Sequence, residues 1–252
     1  MAFEPYIEAA RQALDRLTRD ESASIRTAAA TVADALDAGG VLHVFGAGHS
    51  HLLAEEAFYR AGGLAAINPI LDLRLMFFDG ALASTRAERE PGYAARILER
   101  EDVRAVDAAI VASNSGRNAV PIDMALELQA RGVTVIAITS LAHSKAVATR
   151  HASGRKLYEI ADIVIDTEIP AGDAAIALPG SAFRMGPLST VVGAAIVHSV
   201  LIEAAALLVE RGREPPVLPS ANLDTTSQED LERPLARYAG RIRYLDVPGD
   251  RR

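Results

Sequence analysis

The sequence predicts a three-layer αβα sandwich built on a parallel sheet, and three observations carry that prediction. Its candidate strands are apolar on both faces instead of alternating, as strands covered by helices on both sides are. Helices and strands alternate along the chain, so successive strands are joined by right-handed helical crossovers. Two of the strands end abruptly in turns rich in Gly and Ser that each open a helix.

Two helices open the chain, at about residues 3–17 and 22–38, and the second stops at Gly39-Gly40, the usual helix-ending residue. The run Val41-Leu42-His43-Val44-Phe45 reads as the first strand, cut off by Gly46-Ala47-Gly48-His49-Ser50. A helix over 51–61 follows and stops at Gly62-Gly63, and a second strand is expected at 64–67. Residues 69–104 are charged, hold Pro91-Gly92, and contain one short helix near 94–100. The third strand, 107–112, ends at Ser113-Asn114-Ser115-Gly116-Arg117-Asn118, and a helix over 119–131 stops at Gly132. The fourth strand, 133–138, ends at Thr139-Ser140. A short helix near 145–150, a fifth strand at 163–166 and a long helix over 187–211 complete the core. The tail after Gly212, rich in Pro and polar residues, is expected to wrap the domain or a partner subunit without a core of its own. The expected organisation is therefore one domain over 1–211 and a C-terminal extension over 212–252.

Composition narrows the function. Half of the 252 residues are hydrophobic but only 5% are aromatic, so Ala, Val, Ile and Leu must build the core. The net charge of −7 argues against nucleic acid as a partner. It also means that an anionic ligand needs a local positive device. The absence of Cys excludes disulfides and thiolate metal sites. Residues 1–21 mix charges and show no secretory h-region. The apolar stretch 191–209 carries His198, Ser199 and Glu203, which suits a buried core helix better than a membrane span. A soluble, cytoplasmic protein with no membrane partner is expected.

Ligands of open α/β sheets bind beyond the carboxyl ends of the strands, where both turns fall. In Ser113-Asn114-Ser115-Gly116-Arg117-Asn118, small hydroxyl residues leave backbone N–H groups open, and Gly116 permits close approach or positive φ. Asn118 is a good N-cap, Pro121 suits the first helical turn, and the helix start adds its dipole. An ordinary capped turn would read the same locally; the position at a strand end favours an anion. The first turn fails as a dinucleotide fingerprint, because G-x-G-x-x-G would need glycine where His51 stands. No Gly-Lys-Ser/Thr follows either turn, so a Walker loop is absent, and no cofactor is expected.

The helix after Gly48 carries His49, His51, Glu55, Glu56, Tyr59 and Arg60. Leu53, Ala54, Ala57, Phe58 and Ala61 share its sheet-facing side; Glu55, Glu56 and Tyr59 lie off it, and His51 stands one turn before Glu55. His49, His51 and Glu55 are conceivable zinc ligands, but the H-E-x-x-H pattern is missing and no metal is assigned. His198 lies in the apolar closing helix, where a lone His is either a satisfied core residue or a general acid or base. Glu203 points to another side of that helix.

Taken together, the two turns and the topology resemble the sugar isomerase (SIS) domain family over about residues 22–211. The run from Phe45 to Pro69, with His-Ser-His followed by Glu-Glu, resembles its phosphoheptose-isomerase-like branch. Where the family's second turn ends in Thr, this chain has Asn118. The resemblance implies a flavodoxin-like five-stranded parallel sheet, a dimer or tetramer with shared sites, and phosphate contacts from Ser50, Ser113, Ser115, Gly116 and Asn118. Gly48, His49, His51 and Asn114 in the same two turns, and Ser140 at the end of the fourth strand, complete the candidate ligand set. The resemblance further implies acid/base residues on the helix after the first turn and on the closing helix. His198 matches the latter. Counting from Ser50, the family's His falls at Glu56 and its Glu at Arg60, so Glu56 or Glu55 is the candidate base.

The expected activity is aldose–ketose isomerisation of a sugar phosphate, with Glu56 or Glu55 and His198 handling protons on either side of an enediol, His198 coming from a neighbouring subunit. A lyase or etherase would use the same cradle and base. A non-catalytic sugar-phosphate sensor would use the cradle alone.

Overall fold

The computed structural model of the protein describes residues 3–245. Five apolar runs form its sheet: β1 (Leu42–Gly46), β2 (Ile67–Ile70), β3 (Ala108–Ala112), β4 (Thr134–Thr139) and β5 (Ile163–Asp166). They pair in the order β2-β1-β3-β4-β5, every pair parallel. This is the flavodoxin-like order. Alternate strand residues feed two separate cores. Leu42, Val44, Ile110, Ile136 and Ile165 pack under α1 (Glu4–Asp20), α2 (Ser22–Asp37), α3 (Leu52–Ala57) and the long α8 (Ser189–Glu210). Phe45, Ala109, Val111, Val135 and Ala137 pack under α5 (Tyr93–Leu98) and α6 (Ala119–Ala130).

α8 is apolar along most of its length because it is central to the first core, burying Val192, Ile196, Val197, Val200, Leu201, Ala204 and Leu208. It has no side-chain cap of its own at Leu188. Instead Asp173 reaches in from the preceding loop and accepts from the Leu188 and Ser189 N–H groups, both at 2.9 Å. That satisfies two of the donors that a helix start leaves open.

Several boundaries differ from the sequence expectation, each for a tertiary reason. β2 starts three residues later than expected and contains Pro69, which is tolerated because β2 is an edge strand with no outer partner. The expected strand residue Leu64 instead bridges Val217 of the tail. α3 ends at Ala57, with Phe58 extended and Tyr59 left-handed at φ +44°, so Tyr59 and Arg60 are not helical. The 69–104 region holds a second helix, α4 (Ala81–Ala87), besides α5. α7 (Leu141–Ala146) begins four residues earlier than expected because Ser140 caps it through the His143 N–H. A small hairpin, β6 (Ile176–Ala177) with β7 (Arg184–Met185), was not legible as strands. The extension adds α9 (Gln228–Ala236), and its Leu218, Tyr238 and Ile242 join the first core. Residues 246–252 of the extension lie outside the described residues.

The amino-terminal end of the sheet is closed by a buried polar network. Asp107, just before β3, accepts from the Val41 N–H (3.0 Å), the Arg104 N–H (2.7 Å) and His43 Nε2 (3.0 Å). Arg241 of the extension caps both of its oxygens at 2.5 and 2.7 Å. Asn68 Nδ2 donates to His43 Nδ1 (2.9 Å), which leaves the His43 proton on Nε2, facing Asp107. Burial alone would raise the Asp107 carboxyl, but His43 and the two N–H donors outweigh it and hold it at about 2.

A depressed carboxyl contributes stability above its unfolded-state pKa that is lost as pH falls through the folded value. Asp107 therefore stabilises the fold by about 2 kcal/mol above roughly pH 4, and the contribution fades toward pH 2. Asp107→Asn leaves the buried Arg241 with only the more distant Asp102, at 3.5 Å, as counter-charge and is expected to cost about 3 kcal/mol in urea unfolding at neutral pH. Equal stability of variant and parent would contradict this role.

Candidate functional site

The chain reverses its direction of sheet growth between β1 and β3, which pair directly with Gly46 opposite Ala112. The turns that follow them therefore start side by side. From there α3 leaves toward one face and α6 toward the other, so a crevice opens between them, the usual ligand position in such sheets.

The second turn is held from beneath. Gly116 takes φ +56°, its N–H donates to Ser113 Oγ at 3.2 Å, and its carbonyl accepts from the Leu157 N–H. Ser113 is buried in that role, while Ser115 is half-exposed and makes no side-chain hydrogen bond among the described residues. Asn114 Nδ2 donates to His143 Nδ1 at 3.4 Å, while its buried Oδ1 has no partner. Burial, ahead of the Arg117 charge, pushes the His143 imidazole below its usual pKa, keeping it a neutral acceptor.

Two expected ligand contacts are corrected here. Ser140 is wholly buried and its hydroxyl is occupied, donating to the Ile169 carbonyl (2.6 Å) and capping α7. Asn118 stands at the N-cap position, but its side chain does not cap α6. Its Oδ1 accepts from Arg150 (3.0 Å) and its amide faces the Glu88 carboxylate.

In the first turn, Gly48 and Ser50 are half-exposed, and the His49 ring lies 4.7 Å from Phe77, which covers Gly48. His51 is buried, with Nδ1 on the Gly48 carbonyl and Nε2 3.5 Å from Glu55, itself exposed. His49, His51 and Glu55 do not converge as a ligand set, and no group of three metal-binding side chains occurs among the described residues.

Glu56 and His198 do meet, at 3.1 Å between Oε1 and Nε2. Both belong to the same chain, which corrects the expectation of an inter-subunit pair. Leu53 of α3 sits against Gly193 of α8, where a Cβ would come within 2.8 Å of its methyl group, so the two helices can approach closely. Arg60 bonds the same Glu56 Oε1. Burial, then the Arg60 charge, pushes His198 below its usual pKa, so at neutral pH it is uncharged and donates through Nε2. Glu56 Oε2 is left free of both partners. The Glu56–Arg60 spacing of four was visible in sequence, though the helix that would explain it stops short. Arg150, Glu88 and Phe77 reach the turns through tertiary folding, and no local signal marks them.

This geometry defines a flavodoxin-like α/β protein with a candidate anion crevice at its switch point. The chain belongs to the SIS domain family, whose model matches residues 5–140, spanning both turns and stopping short of His198. It is 43% identical over 243 residues to a UPF0309 protein of Geobacillus thermodenitrificans, covering 96% of this chain and 97% of that one. It is 44% identical over 242 residues to a UPF0309 protein of Listeria monocytogenes, covering 96% and 98%. Among solved structures it is similar to a phosphoheptose isomerase from Francisella tularensis, with TM-score 0.51 and 17% identity over 80% of this chain and 95% of that one. At that identity the likeness bears on fold alone.

The His198 environment has a direct readout. Removing the Arg60 charge in Arg60→Gln is expected to move the His198 titration, followed by NMR of the imidazole, upward toward the ordinary value. An unmoved titration would mean that Arg60 does not act on this pair.

Proposed function

We propose that the protein binds a sugar phosphate at the β1/β3 crevice and interconverts its aldose and ketose forms. The observation that carries the reading is the Glu56–His198 contact on the two helices that flank the first turn. Phosphate is held at the start of α6 by the half-exposed Ser115, the backbone of the second turn and Ser50 of the first. Glu56 lies six residues past Ser50, about 10 Å along the helix axis, a reach that an extended sugar chain can span.

Glu56, through its free Oε2, takes the proton from the carbon beside the carbonyl and returns it to the neighbouring carbon. Neutral His198 passes the hydroxyl proton between the two oxygens of the enediol. Arg60 supplies positive charge where the enediolate develops. Remote binding of the phosphate orients the reacting carbons.

The pair is about one-third exposed, with side chains at 38% and 31%. Val191, Ile202 and Val209 are exposed on the same α8. A dimer or tetramer that buries this apolar side would exclude water from the chemistry, and light scattering at micromolar concentration should find no monomer.

A thermal-shift panel of sugar phosphates identifies the substrate by its large stabilisation. With that substrate, Glu56→Gln and His198→Asn should retain binding while turnover falls by about 10²-fold or more, the scale of lost general acid–base catalysis. Normal turnover in both variants would contradict the mechanism. Activity lost in Glu55→Gln but kept in Glu56→Gln would move the base by one residue. Binding without turnover in the parent protein would assign a sensor.

A further inference from the structure

We infer that Glu88, working through Asn118 with Arg150, is a positioning residue that makes the α6 anion site take up a proton together with its ligand. The inference rests on the reading that an anion docks at the start of α6.

Glu88 stands just beyond α4, and it is tied to α6 twice. Its carbonyl accepts from the Val120 N–H at 3.1 Å, and its carboxylate faces the Asn118 side chain. Asn118 is buried at 8% exposure, with Oδ1 fixed by Arg150 at 3.0 Å, so its amide has no freedom to turn toward a ligand. The Arg150 backbone is itself pinned, its N–H donating to the Arg117 carbonyl at 2.8 Å. The charged groups around Glu88 are Arg89 on its own segment and Arg150 from the loop after α7, and Arg117 and Arg89 in turn face Arg150. Arg150 and Glu88 thus hold the Asn118 side chain at the start of α6, with the Arg89 charge acting on both and that of Arg117 on Arg150.

The turn also keeps polar atoms that no protein group satisfies. Arg117 Nε and Asn114 Oδ1 are buried without partners. Ser144 is wholly buried, and its unpartnered Oγ faces Gly116, 3.4 Å from where a Cβ would stand. Arg117 Nε and Asn114 Oδ1 belong to the turn itself, so a ligand docked there would find polar atoms that no protein group has taken.

A carboxylate beside an anion cradle opposes the anion if it is ionised and does not if it is protonated. Burial raises the Glu88 carboxyl above its ordinary range, outweighing Asn118, Arg89 and Arg150, which act the other way. An arriving anion raises it further. The bound state therefore holds more proton than the free state, and affinity falls as pH rises through the Glu88 titration. His143, against Asn114, is the other titratable group at the turn and must be separated from it.

Calorimetry with sulfate separates them, because the charge of sulfate is constant over the range. The wild-type protein should bind sulfate about fivefold or more tightly at about pH 5.5 than at about pH 8. Repeating the titration in buffers of different ionisation enthalpy should show proton uptake in the wild type, with no variant needed. Glu88→Gln should bind at both pH values with the low-pH affinity and without uptake, whereas His143→Asn should keep the uptake. Sulfate binding without proton uptake in the wild type, or uptake that survives Glu88→Gln and vanishes in His143→Asn, overturns the role of Glu88. No sulfate binding at either pH overturns the anion site itself.

Discussion

The direct pairing of β1 with β3, Gly46 opposite Ala112, is the contact on which the rest of the site depends. In the order 2-1-3-4-5 it places two strand ends side by side while their following helices are sent to opposite faces. The crevice between α3 and α6 follows from that divergence. Everything offered to a ligand hangs from those two helix starts: the N–H groups of the second turn, the half-exposed Ser50 and Ser115, and, one helix over, the Glu56–His198 contact that the close α3–α8 crossing permits. A shift of register by one residue would turn the strand side chains toward the wrong core and misalign both turns at once.

Both ends of the sheet carry buried polar groups. At the amino end, Asp107 is enclosed by His43, Arg241 and two backbone N–H groups, and the tail is tied there by the same carboxylate. At the carboxyl end, the second turn leaves Asn114 Oδ1, Arg117 Nε and Ser144 Oγ unsatisfied. The Asp107 network stabilises the fold even though Asn68 Oδ1 and Arg241 Nε within it are themselves left without hydrogen-bond partners. On the proposed reading, an anion would meet Arg150 and Arg117 near the start of α6 instead of the field of a chain with net charge −7.

Much of this was legible in the sequence because it is local. Doubly apolar runs marked β1, β3, β4 and β5 to within a residue or so, and glycines marked the ends of α2 and α6. β2 escaped because a strand containing Pro69 does not look like one until it is known to be an edge. The Glu56 and His198 candidates were readable as ionisable groups on apolar-backed helices, but their approach within one chain depends on how closely α3 and α8 cross at Gly193, which no periodicity encodes. Ser140 and Asn118 look like ligand groups by residue type and position. Their hydroxyl and amide are taken by Ile169, His143, Arg150 and Glu88, partners that only the tertiary fold supplies. The extension reads as loop by composition, yet Leu218, Tyr238 and Ile242 are spaced too widely for any periodic signal and still complete the core.

The central claim is that one crevice, between the β1 and β3 turns, receives the phosphate of a sugar phosphate. A crystal structure of the protein with the sugar phosphate that stabilises it most tests this directly. The account predicts the phosphorus at the start of α6, within hydrogen-bond reach of Ser115 and the 114–118 backbone N–H groups other than that of Gly116, with the sugar carbons running toward Glu56 and His198. Phosphate found away from both turns, or a sugar chain directed away from that pair, would contradict it.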